Sequence, residues 1–163
     1  MNTNRLSRRL FCLTALGALA ACGFTPVYGP GGGGAALQNA VLVDDPITRE
    51  AYLLTREVEE RLGRATDPQY GLSLDITVRE ESIAISSDNV TTRYNLIGQV
   101  TYALRDLNTQ QVVNSGKVNS FTGYSASGTT VATQAAERDA RARLMQILAD
   151  QMITRLVAAA PTP

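Results

Sequence analysis

The chain has 163 residues with 15 basic and 15 acidic side chains, no histidine and no tryptophan, and 44% of it is hydrophobic. Balanced charge gives no electrostatic hold on nucleic acid, and the missing histidine removes most zinc sites and most acid–base catalysis at neutral pH. Two cysteines in a chain this long make a disulfide framework unnecessary, because a single domain of this size buries a sufficient core.

The chain begins with an export signal. Arg5, Arg8 and Arg9 precede an apolar run from Leu10 to Ala21, which closes on Leu19-Ala20-Ala21-Cys22-Gly23. A charged start, a short apolar middle and small residues before a cut site define a secretory signal peptide over residues 1–21. The run is shorter than the roughly 20 residues a permanent membrane helix needs. Leu-Ala-Ala-Cys resembles the lipobox of bacterial lipoproteins, which implies cleavage before Cys22 and acylation of that residue. Each buried methylene contributes roughly 0.8 kcal/mol, and two chains already anchor stably. Gly23 stands where an aspartate would imply inner-membrane retention, so the resemblance implies the outer membrane. Ser7-Arg8-Arg9-Leu10-Phe11 also looks like a twin-arginine motif, which leaves both the general and the twin-arginine export routes open. Cleavage removes three arginines and no acid, leaving 142 residues with 12 basic and 15 acidic groups, a net charge of −3. Lys117 is then the only lysine and Cys22 the only cysteine.

Residues 22–38 are expected to form the lipidated N-terminus and a glycine-rich tether, with flexible coil over residues 29–36. The run Gly31 to Gly34 lacks the Gly-Lys-Ser/Thr of a phosphate loop. Asn39 to Val43 reads as a short buried strand. Asp45-Pro46 then offers a cap and a first helical residue. Ile47, Ala51, Leu54, Val58 and Leu62 recur at helical spacing up to Gly63. From Tyr70 to Arg79 the chain alternates, with Tyr70, Leu72, Leu74, Ile76 and Val78 facing inward. The phase slips at Glu80-Glu81, where a bulge is expected to return Ile83 and Ile85 to the core side. Ser86 to Asn89 is a turn.

Thr92 to Arg105 is a second long strand, with Tyr94, Leu96, Gly98, Val100, Tyr102 and Leu104 inward and Asn95, Gln99, Thr101 and Arg105 outward. Asp106 to Thr109 turns the chain into a return strand from Val112 to about Tyr124. Its serines and asparagines suit an edge or a solvated face. The final helix runs from the Ser125–Thr130 loop to about Ala160, with Ala142, Met145, Leu148, Ala149, Met152, Ile153 and Leu156 as its buried stripe. The fold class is therefore α+β. Two helices pack on one face of a mainly antiparallel four-stranded sheet, in the order β-α-β-β-β-α, as a single domain over residues 39–160.

The lipobox, the Cys-Gly-Phe-x-Pro-x-Tyr that follows it, the helix from Arg49 to Leu62 with its closing Val58-Glu59-x-x-Leu62, Thr92-x-Tyr94 and the alanine-rich last helix form one pattern. It resembles the LptE family of lipopolysaccharide-assembly lipoproteins, in the short form seen in alphaproteobacteria. The resemblance implies a non-enzymatic outer-membrane lipoprotein with no cofactor beyond the covalent lipid on Cys22. It also implies two partners, the LptD β-barrel, whose lumen such proteins plug, and lipopolysaccharide. Basic residues bind lipopolysaccharide in such proteins. The candidates here for lipid or partner contacts are Arg79, Arg93 and Arg105, near strand ends or on outward positions, and Lys117. Ser87-Asp88-Asn89 supplies no arginine. The alternative is an outer-membrane lipoprotein serving another lipid-transport or secretion system. The acidic pairs Asp44-Asp45, Glu59-Glu60 and Glu80-Glu81 place neighbours on opposite sides of an element and suggest no hydrolytic site.

Overall fold

The computed structural model describes residues 29, 32–85 and 91–160. The expected signal peptide over residues 1–21, Cys22, Gly23 and the expected Ser86–Asn89 turn lie outside the described residues, as does the side chain of Ile85. The elements in chain order are α1 (Gly33–Leu37), β1 (Val41–Val43), α2 (Arg49–Leu62), β2 (Tyr70–Ile85), β3 (Thr91–Asp106), β4 (Val112–Ser125) and α3 (Thr130–Ala158). They form the expected two layers. The four strands lie side by side in sequence order, with β1 parallel to β2 and the other pairs antiparallel. The α2 helix supplies the crossover that a parallel pair requires.

Alternation in the long strands decides the layering. Leu72, Leu96, Val100, Tyr102, Leu104 and Val118 are buried on one face, and Leu54, Val58 and Leu62 of α2 meet them with Leu144 to Leu156 of α3. Burying each such leucine contributes about 1.5–3 kcal/mol. Two ion pairs hold the helices side by side, Arg141 to Glu50 at 3.0 Å and Arg61 to Asp150 at 2.5 Å. α3 is seated over Gly98, where a side chain would approach Leu144 Cδ2 and Leu148 Cδ1 to 2.9 Å. Gly63 ends α2 at φ +79°, a conformation glycine adopts freely, and the space its side chain would need holds the Asn39 amide.

Five expectations need correction. The α2 cap is Thr48, not Asp45: its Oγ1 accepts from Ala51 N at 3.1 Å, so the helix starts later and Ile47 stands 93% exposed outside it. The extra residue of β2 is Ile83, between Ser82, which pairs with Tyr94, and Ala84, which pairs with Arg93. Ile83 is half exposed rather than returned to the core, and strand phase persists through Glu80 because that carboxylate accepts from the inward Tyr124 hydroxyl at 3.0 Å. On α3, Ala140 and Leu144 are buried, whereas Ala142 is only half-buried. The segment expected as coil contains α1, because burial of Leu37 offsets the helix penalty of Gly33 and Gly34. The strand expected from Asn39 begins at Val41, since Asn39 adopts φ 55° to donate its N–H to Leu62 O at 2.7 Å.

Candidate binding face

Helices cover only one side of the sheet. The odd-numbered residues of β2 and β3, with their register partners on β4, face the other way and form an open surface. Its rows follow from the strand register: Gly71, Arg105 and Val112; Asp75, Thr101 and Lys117; Thr77, Gln99 and Asn119; Arg79, Ile97 and Phe121; and Glu81, Asn95 and Gly123. Amides and hydroxyls dominate the middle. Its formal charges are Arg79, Arg93, Arg105 and Lys117 against Asp75 and Glu81, a net +2, whereas residues 22–163 together sum to −3. The open face is therefore of opposite sign to the rest of the molecule, a distribution that favours an anionic or hydrogen-bonding partner there.

All four candidate basic residues lie on this face, but they do not converge. Arg93 and Arg105 stand twelve positions apart on β3, about 40 Å of strand. Arg79 makes an ion pair with Glu81 at 3.3 Å. Arg93 borders a shallow hollow of about 310 Å³ with Ile83, Asn95 and Ser125. Arg105 and Lys117 are exposed, and the Lys117 carbonyl accepts from Arg155 Nη1 at 2.6 Å, which ties α3 to the β4 edge.

A larger hollow, about 450 Å³, lies between Asn95, Ile97, Asn119, Ser120 and Phe121. Sequence reading missed its apolar floor. The available signal was Ile97 and Phe121 at outward positions of strands whose inward positions already supply the core; Phe121 is 66% exposed. On the opposite face, beyond Leu96, the Tyr94 and Tyr124 rings stack with centroids 5.3 Å apart. Burial first, then the hydrogen bond to Glu80, pushes the Tyr124 hydroxyl well above its ordinary value. At the β3–β4 turn, backbone N–H groups of Thr109 and Asn108 hold the Asp106 carboxyl below the usual carboxylate range.

Among the described residues no cluster of histidine, cysteine, aspartate or glutamate suits a metal ion, and no helix is long and apolar enough to cross a membrane. The fold is a two-layer α+β domain with a broad, polar, net-positive sheet face on which the charges stand apart. A family model described as LptE, lipopolysaccharide assembly, matches residues 39–156, and the chain belongs to that family. Solved structures share the fold. A lipoprotein from Caulobacter crescentus CB15 superposes with a TM-score of 0.67 at 21% identity, over 80% of this chain and 96% of that one. Rare lipoprotein B from Shewanella oneidensis gives 0.56 at 13% identity, over 73% of this chain and 92% of that one. A minor lipoprotein from Acinetobacter baumannii gives 0.55 at 14% identity, over 76% and 93% respectively. No curated protein matches the chain.

Proposed function

We propose that the mature protein is an outer-membrane lipoprotein, acylated at Cys22, that partners an LptD-type β-barrel and assists assembly of lipopolysaccharide at the cell surface. Family membership over residues 39–156 is the observation that carries this reading. The open face gives it a physical basis. Barrel lumens are lined with polar side chains. Asn95, Gln99, Thr101 and Asn119 offer neutral hydrogen-bonding groups to such a wall, while Arg79, Arg93, Arg105 and Lys117 offer cations to lipid phosphates or acidic wall residues. The contribution is one of shape and charge, without catalysis and without a cofactor beyond the anchoring lipid.

A photo-crosslinking residue at Gln99 on the open face, compared with one at the exposed Gln146 of α3, tests which face meets the partner. The expected product is a barrel-sized adduct from position 99 and little from 146; the reverse pattern refutes the assignment of the face. Separately, replacing Arg79, Arg93 and Arg105 together with glutamine is expected to weaken lipopolysaccharide binding and make it less sensitive to salt. Unchanged binding removes the arginines from that role.

A further inference from the structure

The two long edges of the sheet are finished differently. At the β4 edge, α3 lays arginines over outward carbonyls: Arg155 Nη1 donates to Lys117 O at 2.6 Å and Arg143 Nη2 to Gly123 O at 3.5 Å. At the other edge, β1 pairs only with Tyr70, Gly71 and Leu72 of β2. The bonds of that short ladder show which way the β2 backbone points: Tyr70 N donates to Ala40 O and Asp44 N to Leu72 O, both at 3.0 Å. The N–H and C=O of one residue leave a strand on the same side, and successive residues alternate. Even-numbered β2 residues therefore turn both groups toward the β1 side, and odd-numbered ones bond β3. Beyond the end of β1, Leu74, Ile76, Val78 and Glu80 present a row of N–H and C=O groups with no partner among the described residues.

Nothing between Ser73 and Val78 guards this edge. The stretch has no proline and no lysine, and the β2 bulge comes later, at Ser82 to Ala84. Leu74, Ile76 and Val78 lie along the edge with their side chains half-buried on the helix side, apolar surface that a neighbouring strand would cover. On the open face Asp75 is exposed and has no ion-pair partner among the described residues.

These features select the occupant. A ladder of alternating donors and acceptors is matched by another extended polypeptide backbone, which sugars, phosphates and acyl chains do not supply. The wall strands of a closed barrel already bond one another and have no free edge. A loop or terminal arm of the barrel has backbone groups to offer, and a basic residue on it complements Asp75 across the new pair.

We propose that the β2 edge from Leu74 to Glu80 receives an extended segment of the partner barrel, a loop or arm rather than a wall strand, as a further strand of the sheet. Apolar residues of that segment cover Ile76 and Val78, and a lysine or arginine faces Asp75. The open face stays turned to the barrel wall. The inference rests on the proposed partnership with a barrel and names the part of the barrel that this edge takes.

The test uses the full acylated chain co-purified from outer membranes. Val78→Pro removes an outward N–H and sets a ring in the path of an added strand, while the β2–β3 ladder keeps its bonds because the Val78 backbone faces away from β3. Val78→Ala removes the same side-chain contacts and keeps the N–H. With both variants folded by circular dichroism, Val78→Pro is expected to recover about tenfold less barrel than Val78→Ala. Amide exchange of the parent decides without any variant. Leu74, Ile76, Val78 and Glu80 are expected to exchange about tenfold more slowly in the complex than in the free chain, together with a stretch of the barrel outside its wall strands. Thr77 and Arg79, which face β3, change little. Equal recovery of the two variants, or even-numbered amides that gain no protection in the complex, overturns the edge assignment. Protection shared with residues 22–31 of the chain itself, and not with the barrel, overturns the assignment of the occupant. A parent that recovers no barrel overturns the partnership, and the inference with it.

Discussion

Gly98 is where the helix layer approaches the sheet most closely, and replacing it measures how rigidly the two layers are fitted. In Gly98→Ala the new methyl would lie 2.9 Å from Leu144 Cδ2 and Leu148 Cδ1 and 3.1 Å from Leu144 Cγ. Carbon atoms rest at about 3.5–4.0 Å, so both leucines must withdraw by about 0.5–1 Å. Both are fully buried, which leaves little room for a new rotamer. Overpacking of this kind costs about 1–3 kcal/mol, against about 0.5–1 kcal/mol that alanine gains over glycine inside a strand. The expected net loss is about 1–2 kcal/mol, or a fall in Tm of about 3–10 °C for a domain of this size. Gly123→Ala is the control. Its methyl meets the end of Asn95 on the open face at 3.2 Å and Tyr94 O at an ordinary 3.5 Å, and the expected change is within about 0.5 kcal/mol. Urea unfolding of the mature chain carrying Cys22→Ser, with Leu148→Ala alone and combined with Gly98→Ala, completes a double-mutant cycle. Leu148→Ala is expected to cost about 2–5 kcal/mol alone and at least about 0.5 kcal/mol less in the Gly98→Ala background. A Gly98→Ala protein at least as stable as its parent, or strict additivity in the cycle, would refute the fitted-layer account.

Other perturbations separate the parts of the structure. Thr48→Ala removes the α2 cap and is expected to cost about 1 kcal/mol, whereas Asp45→Ala changes stability by no more than about 0.5 kcal/mol; equal losses in thermal unfolding would contradict the observed helix start. The Asp106 carboxyl is depressed in the folded chain, so its stabilisation is present above the unfolded value near 3.8 and lost as pH falls through the lower folded value. The stability gap between parent and Asp106→Ala is therefore expected to hold from pH 7 to 5 and to close in acid, as urea midpoints across that range would show. The Tyr124 hydroxyl shifts the other way. Above about pH 10 the unfolded chain loses this proton first and stability falls, a limb that Tyr124→Phe should flatten in alkaline unfolding curves.

Much of the fold is legible in the sequence because period-two alternation and period-four stripes report burial directly. Leu96, Val100, Tyr102 and Leu104 occupy the core face that their spacing assigns, and β4 is the edge strand that its serines and asparagines suggest. The departures arise where one contact outweighs local pattern. Thr48 caps α2 because its hydroxyl reaches Ala51 N, although Asp45-Pro46 is the stronger local signal. Ile83 leaves the core because Glu80 is needed beneath Tyr124, a partner 44 residues away. Leu37 orders α1 against the helix layer despite its glycines. The basic candidates were legible as outward residues, but their separation along the sheet follows from strand register, which residue spacing within one strand does not report. The apolar floor at Ile97 and Phe121 needed that same register, since the two lie 24 positions apart in the chain and side by side on the sheet.

Affinity purification of the tagged, full-length protein from outer membranes tests the central claim most directly. The account predicts recovery of a stoichiometric LptD-type barrel with the acylated chain, and loss of lipopolysaccharide from the cell surface when the chain is depleted. Recovery of a different transporter or secretion complex, or surface lipopolysaccharide that persists after depletion, would contradict it.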